Sequence, residues 1–105
     1  ASPARRAVRA RLDSAAHLDG EGESVRALQE AARAEALALA SGEPGSIALA
    51  SYAVAVYETM AGKAKPADLC VRYEAVLATV EALPVPDTLL LRNARRSLEA
   101  ARRKA

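Results

Sequence analysis

Apolar residues recur along this chain at three- and four-residue intervals, and glycine and proline cut the pattern into segments. In the first segment Val8, Leu12 and Ala15 or Ala16 share one side, the spacing of an amphipathic helix. Ser2-Pro3 precedes it as an N-cap followed by proline at the first helical position. The run Asp19-Gly20-Glu21-Gly22-Glu23 interrupts the pattern, and a second periodic segment ends at Ser41-Gly42, a glycine stop. Glu43-Pro44-Gly45 reads as a turn, with Ser46 as the cap of the next helix and Gly62 as its end. Pro66 opens a fourth segment, Pro84-Val85-Pro86 closes it, and Asp87 caps a fifth. The punctuation predicts helices over approximately 3–18, 24–40, 47–61, 66–83 and 88–104.

The third segment differs from the rest. Ile47, Leu49, Ala50, Tyr52, Ala53, Val54, Val56, Tyr57 and Met60 spread over more than half its circumference, and Glu58 is its only charge. A helix apolar nearly all round is packed on several sides, so this one is expected at the centre. Tyr52 to Tyr57 also alternates with period two, as a strand does. The surrounding alanines and the clean caps favour helix.

A shift of 46 positions brings Val25-Arg26 onto Val71-Arg72, Glu35-Ala36-Leu37 onto Glu81-Ala82-Leu83 and Ser51 onto Ser97. This fits two stacked helical hairpins on a short leading helix. The expected fold is therefore all-α, a single-domain antiparallel bundle of four to five helices over residues 1–105. The signature of tetratricopeptide repeats and their period are missing, so no membership is drawn from the repeat.

Composition sharpens the picture. The chain has 27 alanines, three tyrosines, and no phenylalanine or tryptophan. Such a sequence makes good helices and thin cores, and a monomer completed by a partner is a fair expectation. With Cys70 alone no internal disulfide forms, which fits a reducing cytosol and a cytoplasmic location. The longest uncharged stretches fall short of the ~20 residues a membrane span needs, and no apolar run follows the N-terminal arginines as in a secretory signal. No membrane association is expected.

The net charge of +2 conceals an uneven distribution, because residues 84–105 carry six positive and two negative side chains. On a helical wheel Arg92, Arg95, Arg96, Arg102 and Arg103 fall within about a third of the circle. Leu90, Leu91, Ala94, Leu98 and Ala101 occupy the opposite side. Arg5, Arg6 and Arg9 make a smaller stripe on the first helix. These eight arginines are the candidate residues for a protein partner or for phosphates. Cationic stripes neutralise nucleic-acid backbones or seat on acidic protein grooves, while arginines in a last turn also complement the helix dipole. No aromatic residue interleaves with them, which argues against single-strand stacking. The two prolines before the last helix argue against a helix-turn-helix.

Other chemistry is thin. Counted from Asp19, the residues Asp19, Glu21, Glu23 and Glu30 fall at calcium-ligand positions of an EF-hand loop. Ser24 stands where the loop glycine belongs and Arg26 where an apolar residue belongs. The run therefore reads as a solvated connector, and no metal site is assigned. His17 lies one turn after Asp13 and reads as a surface pair with it. Cys70 reads as a small core residue rather than a reactive thiol. No residues meet the joint requirement of nucleophile, base and stabiliser, so no catalytic residue, cofactor or small-molecule substrate is inferred. The leading expectation is a non-enzymatic protein-interaction or assembly module, with self-association included. The alternative is a small nucleic-acid-associated protein, a regulator or packaging accessory working through the basic last helix. A regulatory domain of a larger chain is a third reading, motivated by the missing initiator methionine.

Overall fold

The computed structural model describes residues 2–105, and they form five helices: α1 (Pro3–Gly20), α2 (Ser24–Ser41), α3 (Pro44–Met60), α4 (Pro66–Glu81) and α5 (Thr88–Lys104). The period-two stretch of α3 is helical. Three boundaries differ from the sequence expectation by two residues or more, each for a local reason, and the ends of α2 and α3 differ by one. Helix α1 runs on through Asp19 and Gly20, because the second glycine, rather than the first, ends it. Gly22 takes φ +79° and donates to the Asp19 carbonyl at 2.9 Å, while the Glu23 N–H reaches the Leu18 carbonyl at 2.9 Å. These paired bonds satisfy carbonyls that the helix end would leave free. The leading helix is consequently not short: its 18 residues equal those of α2.

Helix α3 begins earlier than expected, at Pro44. Its cap is Glu43, whose carboxylate accepts from the Ser46 N–H at 2.8 Å. Ser46, expected to be the cap, is instead inside the first turn, buried, with its hydroxyl on the same carboxylate. Proline suits the first helical position because its fixed φ is already helical and its missing N–H is not needed there. Helix α4 stops at Glu81, ahead of the expected Leu83, because Pro84 disfavours helical geometry in the residue before it.

The core registers show how the helices run. Val8 packs with Ala34 and Ala38, whereas Ala15 packs with Ala27 and Ala31, so α1 and α2 are antiparallel. The same reasoning makes each successive pair antiparallel. Ala48 meets Leu90 and Ala94, and Ala55 meets Leu98 and Ala101, so α3 and α5 are parallel. The result is a zigzag with α1, α3 and α5 running one way and α2 and α4 the other. The molecule measures 37 × 32 × 21 Å, and the shortest dimension matches two helices of ~10–12 Å diameter.

Each of the four core clusters contains one residue of α3: Ala48, Ala50, Val54 or Ala55. The clusters with Ala50 and Val54 otherwise draw on α1 and α2, and those with Ala48 and Ala55 on α4 and α5. The expectation that the third helix lies at the centre therefore holds. Two half-cores share it, which is why its apolar positions do not form a single stripe. The shared-hairpin repeat has less support, since α2 and α4 begin 42 positions apart and α3 and α5 44, rather than 46.

The buried stripe of α2 is Ala27, Ala31, Ala34 and Ala38, all fully buried. Methyl side chains let neighbouring helices approach closely, toward the lower end of the usual 8–10 Å range. Close approach leaves no room for a larger side chain. Ala31→Leu should destabilise the fold by about 1–3 kcal/mol through overpacking, whereas Ala10→Leu, on the exposed side of α1, should stay within about 0.5 kcal/mol of the parent. Urea denaturation of both variants measures the difference.

Candidate interaction surfaces

The basic face of α5 is placed by the apolar one. Leu90, Ala94, Leu98 and Ala101 are buried against α3 and α4, which turns Arg92, Arg95, Arg96, Arg102 and Arg103 outward, all exposed. Asp87 caps the helix by accepting from the Leu90 N–H at 3.0 Å. Among the described residues none of these five arginines, nor Lys104, has an ion-pair partner. Four arginines of α1, α2 and α4 are engaged: Arg11 and Arg33 with Glu30, Arg26 with Glu23, and Arg72 with Glu35.

The smaller stripe on α1 is divided. Arg5 donates to Glu43 at 3.0 Å, tying α1 to the cap of α3, while Arg6 and Arg9 are exposed without an ion-pair partner among the described residues. Arg5 and Arg9 border a groove of about 440 Å³ whose far side is Asp87 and Leu90 of α5. None of the α5 arginines lines that groove. The two stripes thus stay separate, because those of α5 point away from α3 while Arg5 and Arg9 lean over its N-terminal end.

Sequence reasoning did not single out Arg72. Its guanidinium leaves α4, donates to Glu35 of α2 at 2.6 Å and to Ser51 of α3 at 3.1 Å, and lies 3.8 Å from Glu58. One side chain thereby joins three helices. The faint signal was the Val-Arg pair repeated at 25–26 and 71–72, but the first arginine meets only Glu23 of its own turn. Also unforeseen is a group of hydroxyls between α3, α4 and α5. Tyr52 and Ser97 share a 3.3 Å hydrogen bond, the Tyr52 and Tyr73 rings lie 5.8 Å apart at 50°, and Thr59 donates to the Ala55 carbonyl at 2.9 Å.

The remaining sequence candidates resolve as follows. His17 pairs with Glu21 at 3.4 Å rather than with Asp13, because the longer α1 brings Glu21 to the end of the same helix. The EF-hand positions do not converge. Glu21 faces His17, Glu23 faces Arg26, and Glu30 lies between Arg11 and Arg33. Among the described residues no three His, Cys, Asp or Glu side chains are grouped for a metal ion. Asp19 keeps one carboxylate oxygen buried without a hydrogen bond. Cys70 is half-buried against the Tyr73–Leu98 cluster, a packing position.

Local fields shift four titrations. The Ser46 hydroxyl holds the Glu43 carboxyl below its ordinary 4.5, helped by the Ser46 N–H and Arg5 and opposed by burial. The Arg11 and Arg33 hydrogen bonds lower Glu30 in the same direction. Burial pushes the Tyr57 phenol up, with the Asp19 charge adding to it. Burial also raises Tyr73, against the pull of the nearby Ser97 and Thr59 hydroxyls.

No protein-family model matches this chain, and neither the curated proteins nor the solved structures contain a significant match. The surfaces themselves therefore carry the functional argument.

The Glu43 geometry has a pH consequence. A carboxylate whose folded-state pKa is depressed adds stability above its unfolded value, and that stability is lost as pH falls through the folded value. Glu43→Ala should cost about 1 kcal/mol at neutral pH, as the loss of a helix cap does. The parent's advantage over the variant should shrink as pH drops below 4.5. Urea midpoints of both proteins across a pH series check the sign.

Proposed function

We propose that this chain is a non-enzymatic, cytoplasmic protein-interaction module that meets a protein partner, in the first instance a second copy of itself, through the outer faces of α2 and α4. The observation that carries this reading is the apolar border of the Arg72–Glu35 bridge. Leu39 lies one turn beyond Glu35 and is 60% exposed, Val71 adjoins Arg72 and is 70% exposed, and Val25 on α2 is 48% exposed. Ala32 and Ala36 of α2 and Ala75 and Ala78 of α4 are exposed as well, so the surface is low enough for another helix to lie on it. Clustered exposed apolar side chains with a polar rim are a feature of association sites, and small residues favour close helix contact. Of the acids that a metal reading would use, Glu21, Glu23 and Glu30 face basic side chains instead, which supports taking these three as structural.

A second reading rests on a separate observation, the exposed and unpaired arginines of α5 described above. A helix face of that kind binds phosphates of nucleic acid electrostatically, with affinity that falls steeply as salt rises. Among the described residues no helix is long and apolar enough to cross a membrane, so neither reading involves a span.

Light scattering should give a mass above that of one chain, unchanged by moderate salt. The double variant Leu39→Glu, Val71→Glu should return it to the single-chain value. A single-chain mass for the parent at all concentrations would overturn self-association. Fluorescence anisotropy with short duplex DNA and RNA tests the other surface. Salt-dependent binding that disappears when Arg92, Arg95, Arg96, Arg102 and Arg103 become glutamine supports the second reading, and flat traces at low salt exclude it.

A further inference from the structure

Between the C-terminal ends of α3 and α5 and the start of α4 lies a cleft of about 300 Å³, at the small end of the ~300–1,000 Å³ range of ligand pockets. Its walls are apolar, formed by Val56, Met60, Pro66, Leu69, Ala100 and Ala101. Its polar lining is unlike that of the other apolar seams. Tyr52, Tyr73, Ser97 and Thr59 bring four hydroxyls to it, and Lys104 stands at its edge.

Tyr73 is 4% exposed, and its phenol borders the cleft with the Ser97 and Thr59 hydroxyls close by but neither in a well-aligned hydrogen bond to it. Tyr52 and Ser97 hold one bond between them, and that bond uses one of their two hydroxyl hydrogens. The other hydrogen has no acceptor among the described residues, and that of Tyr73 has only the loosely placed Ser97 and Thr59 oxygens. Thr59 spends its hydrogen on the Ala55 carbonyl and supplies no further donor. Lys104 adds an ammonium with no ion-pair partner among the described residues. The polar side of the cleft thus offers hydroxyls and, at its edge, the Lys104 ammonium beside apolar walls, with the Glu58 charge near enough to act on Tyr73. A ligand that supplies acceptors can take these hydrogens in place of solvent.

We propose that this cleft binds a small amphipathic carboxylate, with its oxygens on Tyr73 and the Tyr52–Ser97 pair near Lys104 and its hydrocarbon body against Val56, Leu69 and Ala101. A carboxylate fits because it is acceptor-only and can take several hydrogen bonds at once. The apolar walls require a short chain or ring behind it. Burial raises the Tyr73 phenol above its ordinary 10, so it retains its hydrogen and donates throughout the physiological pH range. The cleft is lined by Ser97, Ala100 and Lys104 of α5, which take no part in the Arg72–Glu35 bridge, so the proposal does not rest on the assembly reading.

Sodium octanoate is a suitable probe, with octanol as its uncharged counterpart. In a chemical-shift titration of the isotope-labelled full chain, octanoate should give saturable shifts concentrated at Thr59, Leu69, Tyr73 and Ala100. Tyr73→Phe, which keeps the ring, and Lys104→Gln, at an exposed position, should each weaken binding roughly tenfold, the loss expected for a hydrogen bond or ion pair to a charged group. Octanol should bind more weakly by a similar factor, and Ala100→Leu should abolish the shifts by filling the cleft. Absence of saturable shifts at millimolar octanoate would overturn the proposal. So would shifts spread over the whole surface, or affinities that survive both Tyr73→Phe and Lys104→Gln unchanged.

Discussion

Close packing of α3 against its neighbours through methyl-sized side chains is the constraint on which this structure depends. Ala48, Ala50, Val54 and Ala55 each enter a different core cluster, so the same helix forms a wall of both half-cores. A bulky residue at one of these positions would push α3 away from one pair of helices while it was still held by the other. Small side chains permit contact on both sides at once. They also make each contact shallow, because an alanine buries little area at about 25 cal/mol per Å². Most of the larger buried residues, Tyr73, Val76, Val80, Leu90 and Leu98, lie on α4 and α5, whereas the half-core around α1 and α2 has Val8 and Val54 and otherwise relies on alanine.

Polar links stand where apolar packing is thin. The guanidinium of Arg72 reaches Glu35 and Ser51 and lies near Glu58, connecting α4 with both α2 and α3. Arg5 connects α1 with the Glu43 cap of α3. Exposed pairs of this kind contribute little each, about 0–1 kcal/mol. Their geometric effect is larger, since each brings together elements separated by more than thirty residues. Beside the bridge at Arg72, Leu39 one turn beyond Glu35 and Val71 next to Arg72 are exposed.

Three surfaces follow from this arrangement, and they differ in chemistry. The outer face of α2 and α4 is apolar and small. The outer face of α5 is mainly cationic, because its five arginines have no ion-pair partner among the described residues and only Glu99 interrupts them. The cleft at the far end of α3 combines apolar walls with hydroxyl donors. All three follow from α3 lying in the middle, since its neighbours then cover it with one face each and present the other.

Much of the fold was legible in the residues themselves. Five helices, their caps at Ser2 and Asp87, the glycine stop at Gly42 and the central role of the third helix all follow from local signals. These depend on backbone preference and periodicity, which act over a few residues. The exposed basic face of α5 was legible for the same reason, because a helix with one apolar stripe must turn the opposite side outward. Tertiary structure alone decided the rest. It chose Glu43 over Ser46 as the cap of α3, with Arg5 from another helix on the same carboxylate. It gave Arg72 three partners and Arg26 one, and it brought Tyr52, Tyr73 and Ser97 from three helices around one cleft. Such convergence depends on which helix faces which and at what register. That is set by packing between distant segments, and no spacing along the chain encodes it.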